Sequence, residues 1–387
     1  MPINDPLFWQ GLGFSTANIL LIVLALWWLY WSPTKGRAGQ PAAPSPRLAA
    51  GLAALLGLSA IQLTAGALWD ASMHILTGQI PAGADFLWPP HLMIYSSFLI
   101  SLIVAVGSIG LVAIPAWRAG ERDPRLWARR NPYLGAVALA SLYSLLAIPG
   151  DALWHALYGI DLTAWSPPHV MIIVSMCTVM ICAVGVLIQV RPAGPKLNAV
   201  DYAIPVLLGL TLNVAFIVGT VEWELGVGQG STLVRTNPIW VYPLVGGALA
   251  FFTLVLAKRL TSFRWAATMT AVTFFALRGL ISIGLALTHN VVPYLPPLFI
   301  GGALLLDVIP WERIQSVWLR GLSMALAFTA GYALVALPVL AVRAHLPRFS
   351  DSDFAIAVAT TLAISLALLP VARFAGQRLA GEKIHSS

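Results

Sequence analysis

Hydrophobic residues occur along this chain in long stretches that short polar segments interrupt. A helix needs about 17 to 25 apolar residues to cross a lipid bilayer. Eleven runs of that kind are present, at about residues 14–31, 48–69, 91–115, 132–151, 169–190, 201–222, 239–257, 265–288, 294–309, 316–342 and 353–372. The pattern predicts an all-α, polytopic integral membrane protein with about eleven transmembrane helices.

The composition favours the same class of protein. Of the 387 residues, 59% are hydrophobic and only 10% are charged, and the mean hydropathy is +0.83. A soluble domain of this length does not tolerate so apolar a surface. We therefore expect a multi-pass protein of the cell's inner (plasma) membrane. Its partners would be the lipid bilayer and, because the outer loops are short, other membrane subunits.

Basic residues are distributed unevenly between the predicted loops. Of the 22 Lys and Arg residues, 18 fall on one side of the predicted topology. The positive-inside rule makes that side cytoplasmic, with the N-terminus outside and the C-terminus inside. The sequence pI near 9.7 then reflects charge at the lipid interface, so we expect no nucleic-acid partner. No nucleotide-binding loop is visible in the sequence.

The order of runs and loops divides the chain into four segments. Residues 1–47 contain the first helix and a basic cytoplasmic loop, and residues 48–190 contain two duplicated helical hairpins. Two further hairpins occupy residues 191–309, and the C-terminal helices with a basic tail occupy residues 310–387. Returning helices in the second and third segments begin at or near proline, whose missing N–H costs nothing at a helix start.

The duplicated hairpins carry the residues with the clearest chemistry. Each copy has an aspartate, a histidine four residues later, and a second histidine in a Pro-Pro-His at the start of the next apolar run. We call them the first triplet (Asp70, His74, His91) and the second triplet (Asp151, His155, His169). Residues four apart share one helix face, so each copy offers one carboxylate and two imidazoles. That set is typical of a metal site.

Other interpretations of these residue types compete with metal binding. A lone histidine at a membrane interface is most often a rim residue, which is our interpretation of His289, His345 and His385. Four tryptophans beside the triplets suit an aromatic interfacial belt or the dry wall of a site; they are Trp69, Trp88, Trp154 and Trp165. Asp85 and Asp161 either orient a ligand histidine or are solvated.

The identity of a bound metal follows from the donor atoms only in part. Copper, iron and zinc accept imidazole and carboxylate ligands, whereas calcium and magnesium need more oxygen ligands. The triplets would form either two mononuclear sites or one dinuclear site.

The spacing within the triplets resembles a known family. Each triplet has an Asp, then a His after three intervening residues, then a second His after about thirteen more. This order is similar to the metal-ligand pattern in the C subunit of copper-dependent particulate methane and ammonia monooxygenases. The match covers about twenty residues per copy, and it is closer for the second triplet than for the first, whose second interval is longer. The resemblance implies copper as the cofactor and oxidation of a small apolar molecule.

Several function classes agree with this pattern. We favour a membrane oxidoreductase or monooxygenase, or a subunit of one, that acts on a small apolar or gaseous substrate and takes electrons from a partner subunit or a quinol. The alternatives are a metal transporter or metalloenzyme assembly factor, a b-type haem protein in which histidine pairs hold haem, and a zinc-dependent intramembrane hydrolase.

Arg278 lies in the middle of the eighth apolar run. An arginine at that depth is costly unless a carboxylate or a cavity receives it. Asp307 and Glu222 are the expected partners, in a structural ion pair or, alternatively, on a proton or substrate pathway. Glu224, at the outer end of a predicted helix, is expected to be solvated.

Overall fold

The computed structural model describes residues 6–34, 44–73, 87–158, 166–194, 196–225, 240–291, 293, 299–342 and 350–380. Within these ranges the regular structure is helical and no strand is present. The α-helices, in chain order, are α1 (Pro6–Tyr30), α2 (Pro46–Ser72), α3 (Pro89–Arg118), α4 (Pro124–Arg130), α5 (Pro132–Tyr158), α6 (Pro167–Gln189), α7 (Ala199–Gly219), α8 (Val221–Glu224), α9 (Val241–Leu260), α10 (Ala266–His289), α11 (Ile300–Val308), α12 (Val317–Val342) and α13 (Asp351–Ala380).

Nine helices in the described ranges are long and apolar enough to cross a membrane. Large apolar side chains on their surfaces remain exposed, and Leu146, Leu280 and Leu334 are each more than half accessible. Such surfaces suit contact with lipid chains rather than water. The all-α prediction is confirmed for the described residues, and the nine helices are consistent with a multi-pass membrane protein.

The helices form two compact units. Unit 1 contains Met1–Gln62 and Tyr95–Arg191, and unit 2 contains Leu63–Ile94 and Pro192–Ser387. The first triplet therefore belongs to unit 2 and the second triplet to unit 1. The α2–α3 hairpin contributes residues to both units.

In unit 1, arginines of the short helix α4 bind the end of α1. Arg129 donates from Nε to the Leu29 carbonyl (2.8 Å), and Arg125 donates from Nη1 to the Pro33 carbonyl (2.9 Å). Asp123 caps α4 through the backbone N–H of Arg125. The hydrogen bond from the Arg125 side chain holds the pKa of the Asp123 carboxyl below its usual range. These contacts place α1, α4 and the start of α5 at one basic end.

Small residues allow the helices of unit 2 to pack closely. The buried face of α13 carries residues at intervals of three or four, most of them small: Ala357, Thr361, Ser365, Leu369, Ala372, Gly376 and Leu379. Gly301 of α11 meets Gly331 of α12, where an added Cβ on Gly301 would lie 2.5 Å from the Gly331 carbonyl oxygen. Close approach through small residues is the usual means of packing where lipid removes the hydrophobic driving force.

The core of unit 2 contains a cluster of phenylalanines from three helices or helix starts. Phe299 lies 5.0 Å from Phe274 and 4.9 Å from Phe275, measured between ring centroids. Phe216 of α7 lies 4.8 Å from Phe274 in an edge-to-face arrangement. Such pairs stabilise the packing by about 0.5–1.5 kcal/mol each beyond the area they bury.

Asp307, near the end of α11, binds the beginning of α10. Its carboxylate accepts hydrogen bonds from the backbone N–H groups of Thr268 (2.7 Å) and Ala267 (3.4 Å), and Lys258 donates to the same carboxylate at 2.9 Å. A negative charge at a helix N-terminus is favourable because it complements the helix dipole. The buried carboxylate is thus neutralised by a cation and by a helix end.

The ninth predicted run, residues 294–309, differs from the others. Its described helix, α11, has nine residues and is therefore about 13 Å long, less than half of a bilayer core of about 30 Å. Nevertheless, the chain passes from His289 at one end of α10 to Asp307 at the other end. Residues 294–298 of the run lie outside the described residues.

Candidate metal site

The two duplicated hairpins place their aspartates and histidines at equivalent positions. The returning helices α3 and α6 each begin at the first proline of a Pro-Pro-His, as expected for a residue that has no N–H to satisfy. His91 and His169 are thus the third residues of their helices. Asp70 and Asp151 lie towards the ends of the preceding helices, α2 and α5.

In the first triplet the aspartate and the second histidine are in direct contact. His91 Nε2 lies 2.9 Å from Asp70 Oδ1, and the two side chains are 17% and 23% exposed. The ring of Trp88 meets the His91 ring edge to face, with centroids 5.4 Å apart. Trp69, next to Asp70, packs against the ring of His289 with centroids 4.9 Å apart. Trp88 therefore covers one side of the pair, as a dry wall would.

In the second triplet the corresponding pair is more open. His169 Nε2 lies 3.8 Å from Asp151 Oδ1, and the side chains are 36% and 32% exposed. A separation of 3.8 Å is too long for a hydrogen bond. The two copies are therefore equivalent in sequence position but not in geometry.

The two copies differ at the residue four positions before the aspartate. Gly66, four residues before Asp70, packs against α3, where an added Cβ would lie 2.9 Å from the Pro90 carbonyl oxygen and 2.9 Å from Ile94 Cγ1. Pro90 and Ile94 flank His91 on α3. The second copy has Ala147, a buried residue, at the position equivalent to Gly66. The missing Cβ allows α2 and α3 to approach closely beside the first pair.

The separations of both pairs can be compared with those around a metal ion. Nitrogen and oxygen ligands of zinc lie about 2.0–2.2 Å from the ion, so two of them in a tetrahedral site are about 3.3 Å apart. The observed 2.9 Å and 3.8 Å fall on either side of that value. With small side-chain adjustments, each pair can supply two ligands to an ion of its own. The donor types suit copper, iron or zinc.

The remaining histidine of each triplet lies beyond what the structure describes. His74 is outside the described residues, and His155 lies within α5 but its side chain is not described. Also outside the described residues are Asp85, Asp161, Trp165, His345 and His385. Among the side chains that are described, no group of three or more His, Cys, Asp or Glu is close enough to hold an ion. The three-ligand sites therefore stay a prediction.

The duplication extends further along the helices than the triplets. Six residues after each histidine stands a buried serine, Ser97 in α3 and Ser175 in α6, and the sequence Ala-Val-Gly recurs at 105–107 and 183–185. The Ser97 carbonyl accepts a hydrogen bond from Ser59 Oγ of α2 at 3.0 Å. The triplet pattern alone does not include the repeated serine and the repeated Ala-Val-Gly. Alignment of residues 59–107 with 140–185 of the same chain shows both repeats.

A second polar cluster lies inside unit 2 around Arg278. Arg278 is 1% exposed, and its Nη1 donates to Glu224 Oε2 at 3.0 Å. Its Nη2 donates to the Asn213 carbonyl at 3.3 Å, and its Cζ lies 5.6 Å from the centre of the Phe274 ring. Thr220 donates to the other oxygen of Glu224. The pair is thus embedded between α7, α8 and α10.

The predicted pairing of Arg278 with Asp307 was wrong, and so was the predicted solvation of Glu224. Asp307 binds Lys258 and the start of α10 instead of Arg278, and Glu224, which we expected to be solvated, is 2% exposed and is the partner. The side chain of Glu222 lies outside the described part of the chain. Helix α7 ends at Gly219, and the one-turn helix α8 directs Glu224 back towards α10. A structural ion pair agrees with these contacts.

Replacement of Gly66 by alanine should disturb the first pair. The new Cβ would overlap the backbone of α3, and overpacking of this kind costs roughly 1–3 kcal/mol. We expect Gly66→Ala to lower the midpoint of thermal unfolding in detergent. Gly51→Ala is the matched control in the same helix, because nothing lies within 4 Å of its added Cβ and alanine favours helix. Equal, unchanged midpoints in both variants would contradict the close approach of α2 and α3.

Neutralisation of Glu224 should destabilise the protein strongly. Glu224→Gln leaves the Arg278 charge buried and without a counter-charge, which typically costs about 3–5 kcal/mol. We expect a large drop in the thermal midpoint, and a partial recovery in the double variant with Arg278→Met. The control is Asp351→Asn, since Asp351 is exposed in the first turn of α13. A Glu224→Gln protein as stable as this control would contradict the buried ion pair.

Comparison with known proteins adds no relative to this description. No protein-family model, no curated protein and no solved structure matches the chain.

Proposed function

We propose that the chain is a membrane-integral metalloprotein that binds metal, with copper favoured, through its two triplets. Its function would be that of an oxidoreductase or monooxygenase, or of a subunit of one, for a small apolar substrate. The observation that carries this proposal is the occurrence of Asp–His pairs at equivalent positions in two hairpins, with N···O separations of 2.9 Å and 3.8 Å.

A contact between an aspartate and one histidine would not by itself require the other histidine of each triplet. His74 and His155 follow the aspartates by one helical turn in both copies, and ionisable groups beside apolar spans are costly unless they bind something. A bound metal with an open position would activate dioxygen or a small substrate. The chain's own contribution is to hold the ion and, through Trp88, to keep water from one side.

We further propose that the chain crosses the cell's inner membrane eleven times. The N-terminus would lie outside and the C-terminus in the cytoplasm. The basic ends support this orientation, because Arg125 and Arg129 lie at the end of α1 and Lys258 lies at the end of α9. The short helix α11 then belongs to the ninth crossing. Both triplets would open towards the outer face.

Metal analysis of the purified protein tests the proposal. We expect bound copper, iron or zinc by inductively coupled plasma mass spectrometry, and loss of metal in Asp70→Asn/His91→Ala and in Asp151→Asn/His169→Ala. Each variant should lose about half of the metal if the sites are separate, and most of it if they share one dinuclear site. His385→Ala, in the tail, is the control and should retain the full content.

Four outcomes would contradict the proposal. If the folded wild-type protein takes up no metal, neither triplet is a metal site. If metal persists in both double variants, the metal binds elsewhere in the protein. A Soret band in the optical spectrum would favour the b-type haem alternative. Metal binding without quinol-dependent uptake of dioxygen in the presence of a short hydrocarbon would favour the transport or assembly alternative.

A further inference from the structure

A cleft in unit 1 opens at the basic end of the helices. It encloses about 120 Å³ between the beginning of α2, the end of α3 and the junction of α4 with α5. The lining residues are Pro44, Leu48, Leu111, Val112, Pro115, Arg130, Asn131 and Leu134. Six of the eight are apolar, and the two polar residues are adjacent in sequence. The cleft is therefore amphipathic, with apolar walls and one cationic edge.

Within the described residues, Arg130 keeps hydrogen-bond donors for an anion in this cleft. Its ion-pair partner there is Glu121, at 3.8 Å between Nη1 and Oε1, which is longer than a hydrogen bond. The neighbouring arginines of α4 differ in this respect. Arg125 binds Asp123 through Nε and Nη2, and Arg129 binds the Leu29 and Ser32 carbonyls. Arg130 is 24% exposed at its side chain, so a ligand can reach it.

The surroundings of the cleft carry a net positive charge. Arg47 precedes the lining residue Leu48, and Arg118 follows Pro115 by three residues; both side chains are exposed. Glu121 is the carboxylate beside them. The first turns of α2 and α5 also direct the positive ends of their dipoles towards this region. An oxygen anion at the mouth of the cleft would be stabilised by these charges.

We propose that this cleft binds one anionic glycerophospholipid, with the phosphate on Arg130 and the beginning of an acyl chain against Leu48, Val112 and Leu134. Guanidinium groups bind phosphate oxygens through paired hydrogen bonds. Basic pockets between transmembrane helices are suited to such headgroups. The cleft accommodates only a small part of a lipid, so the rest of the molecule lies along the lipid-exposed helix surfaces. This inference is independent of the metal sites.

Native mass spectrometry of the full chain in detergent tests the inference. Phosphatidylglycerol or phosphatidylcholine would be added at increasing concentration, and the dissociation constant of the first bound lipid would be measured. We expect phosphatidylglycerol to bind more tightly than phosphatidylcholine. Arg130→Gln should lower the affinity for phosphatidylglycerol roughly five- to tenfold, since one basic residue near the surface contributes about that factor. Arg264→Gln, at an exposed arginine of unit 2, is the matched control and should change the affinity less than twofold.

A second variant separates the apolar walls from the charge. Val112→Phe would fill the cleft and should weaken binding of the first lipid while the charge stays unchanged; elution as a monodisperse peak on size exclusion checks that both variants fold. Equal binding of the two lipids, or equal losses in Arg130→Gln and Arg264→Gln, would overturn the proposal in favour of diffuse surface charge. Displacement of the lipid by millimolar inorganic phosphate would show a phosphate site instead.

Discussion

Charge pairing inside an apolar helix bundle is the constraint on which unit 2 depends. A single charge that is buried away from water costs several kcal/mol, so a buried charged group needs a counter-charge or several hydrogen-bond partners. Arg278 meets Glu224, and Asp307 meets Lys258, at 3.0 Å and 2.9 Å. The two pairs connect α8 with α10 and α9 with α11. They fix which helices are neighbours in a unit whose remaining contacts are largely apolar and less specific.

Small residues determine how closely those neighbours approach. Helix pairs in lipid gain little from the hydrophobic effect, so packing depends on the surface that each backbone can present. Gly301 and Gly331 bring α11 against α12, and Gly66 brings α2 against α3. The contact of Gly66 with Pro90 and Ile94 lies beside His91, so the packing of α2 on α3 and the first pair occupy the same region of unit 2.

Much of the fold follows from the sequence because hydropathy and helix length are local properties. The helix starts at Pro89 and Pro167 were predictable, since proline favours the first turn, and the duplicated spacing predicted that each aspartate lies near the second histidine of its triplet. The partner of Arg278 was not predictable, because it depends on how the chain turns after Gly219. The run at 294–309 contains helix α11, but the nine-residue length of that helix was not predictable, since an apolar run does not show where within it a helix begins.

We propose that imidazole and carboxylate groups of the triplets hold a metal ion. X-ray absorption at the metal edge of the purified, copper-loaded protein tests it most directly, because imidazole rings give a characteristic outer-shell scattering pattern. We expect nitrogen and oxygen ligands with the scattering of both imidazoles of a triplet, and a weaker imidazole signal when His91 or His169 is replaced by alanine. A first shell of sulfur, or of oxygen without imidazole scattering, would contradict it.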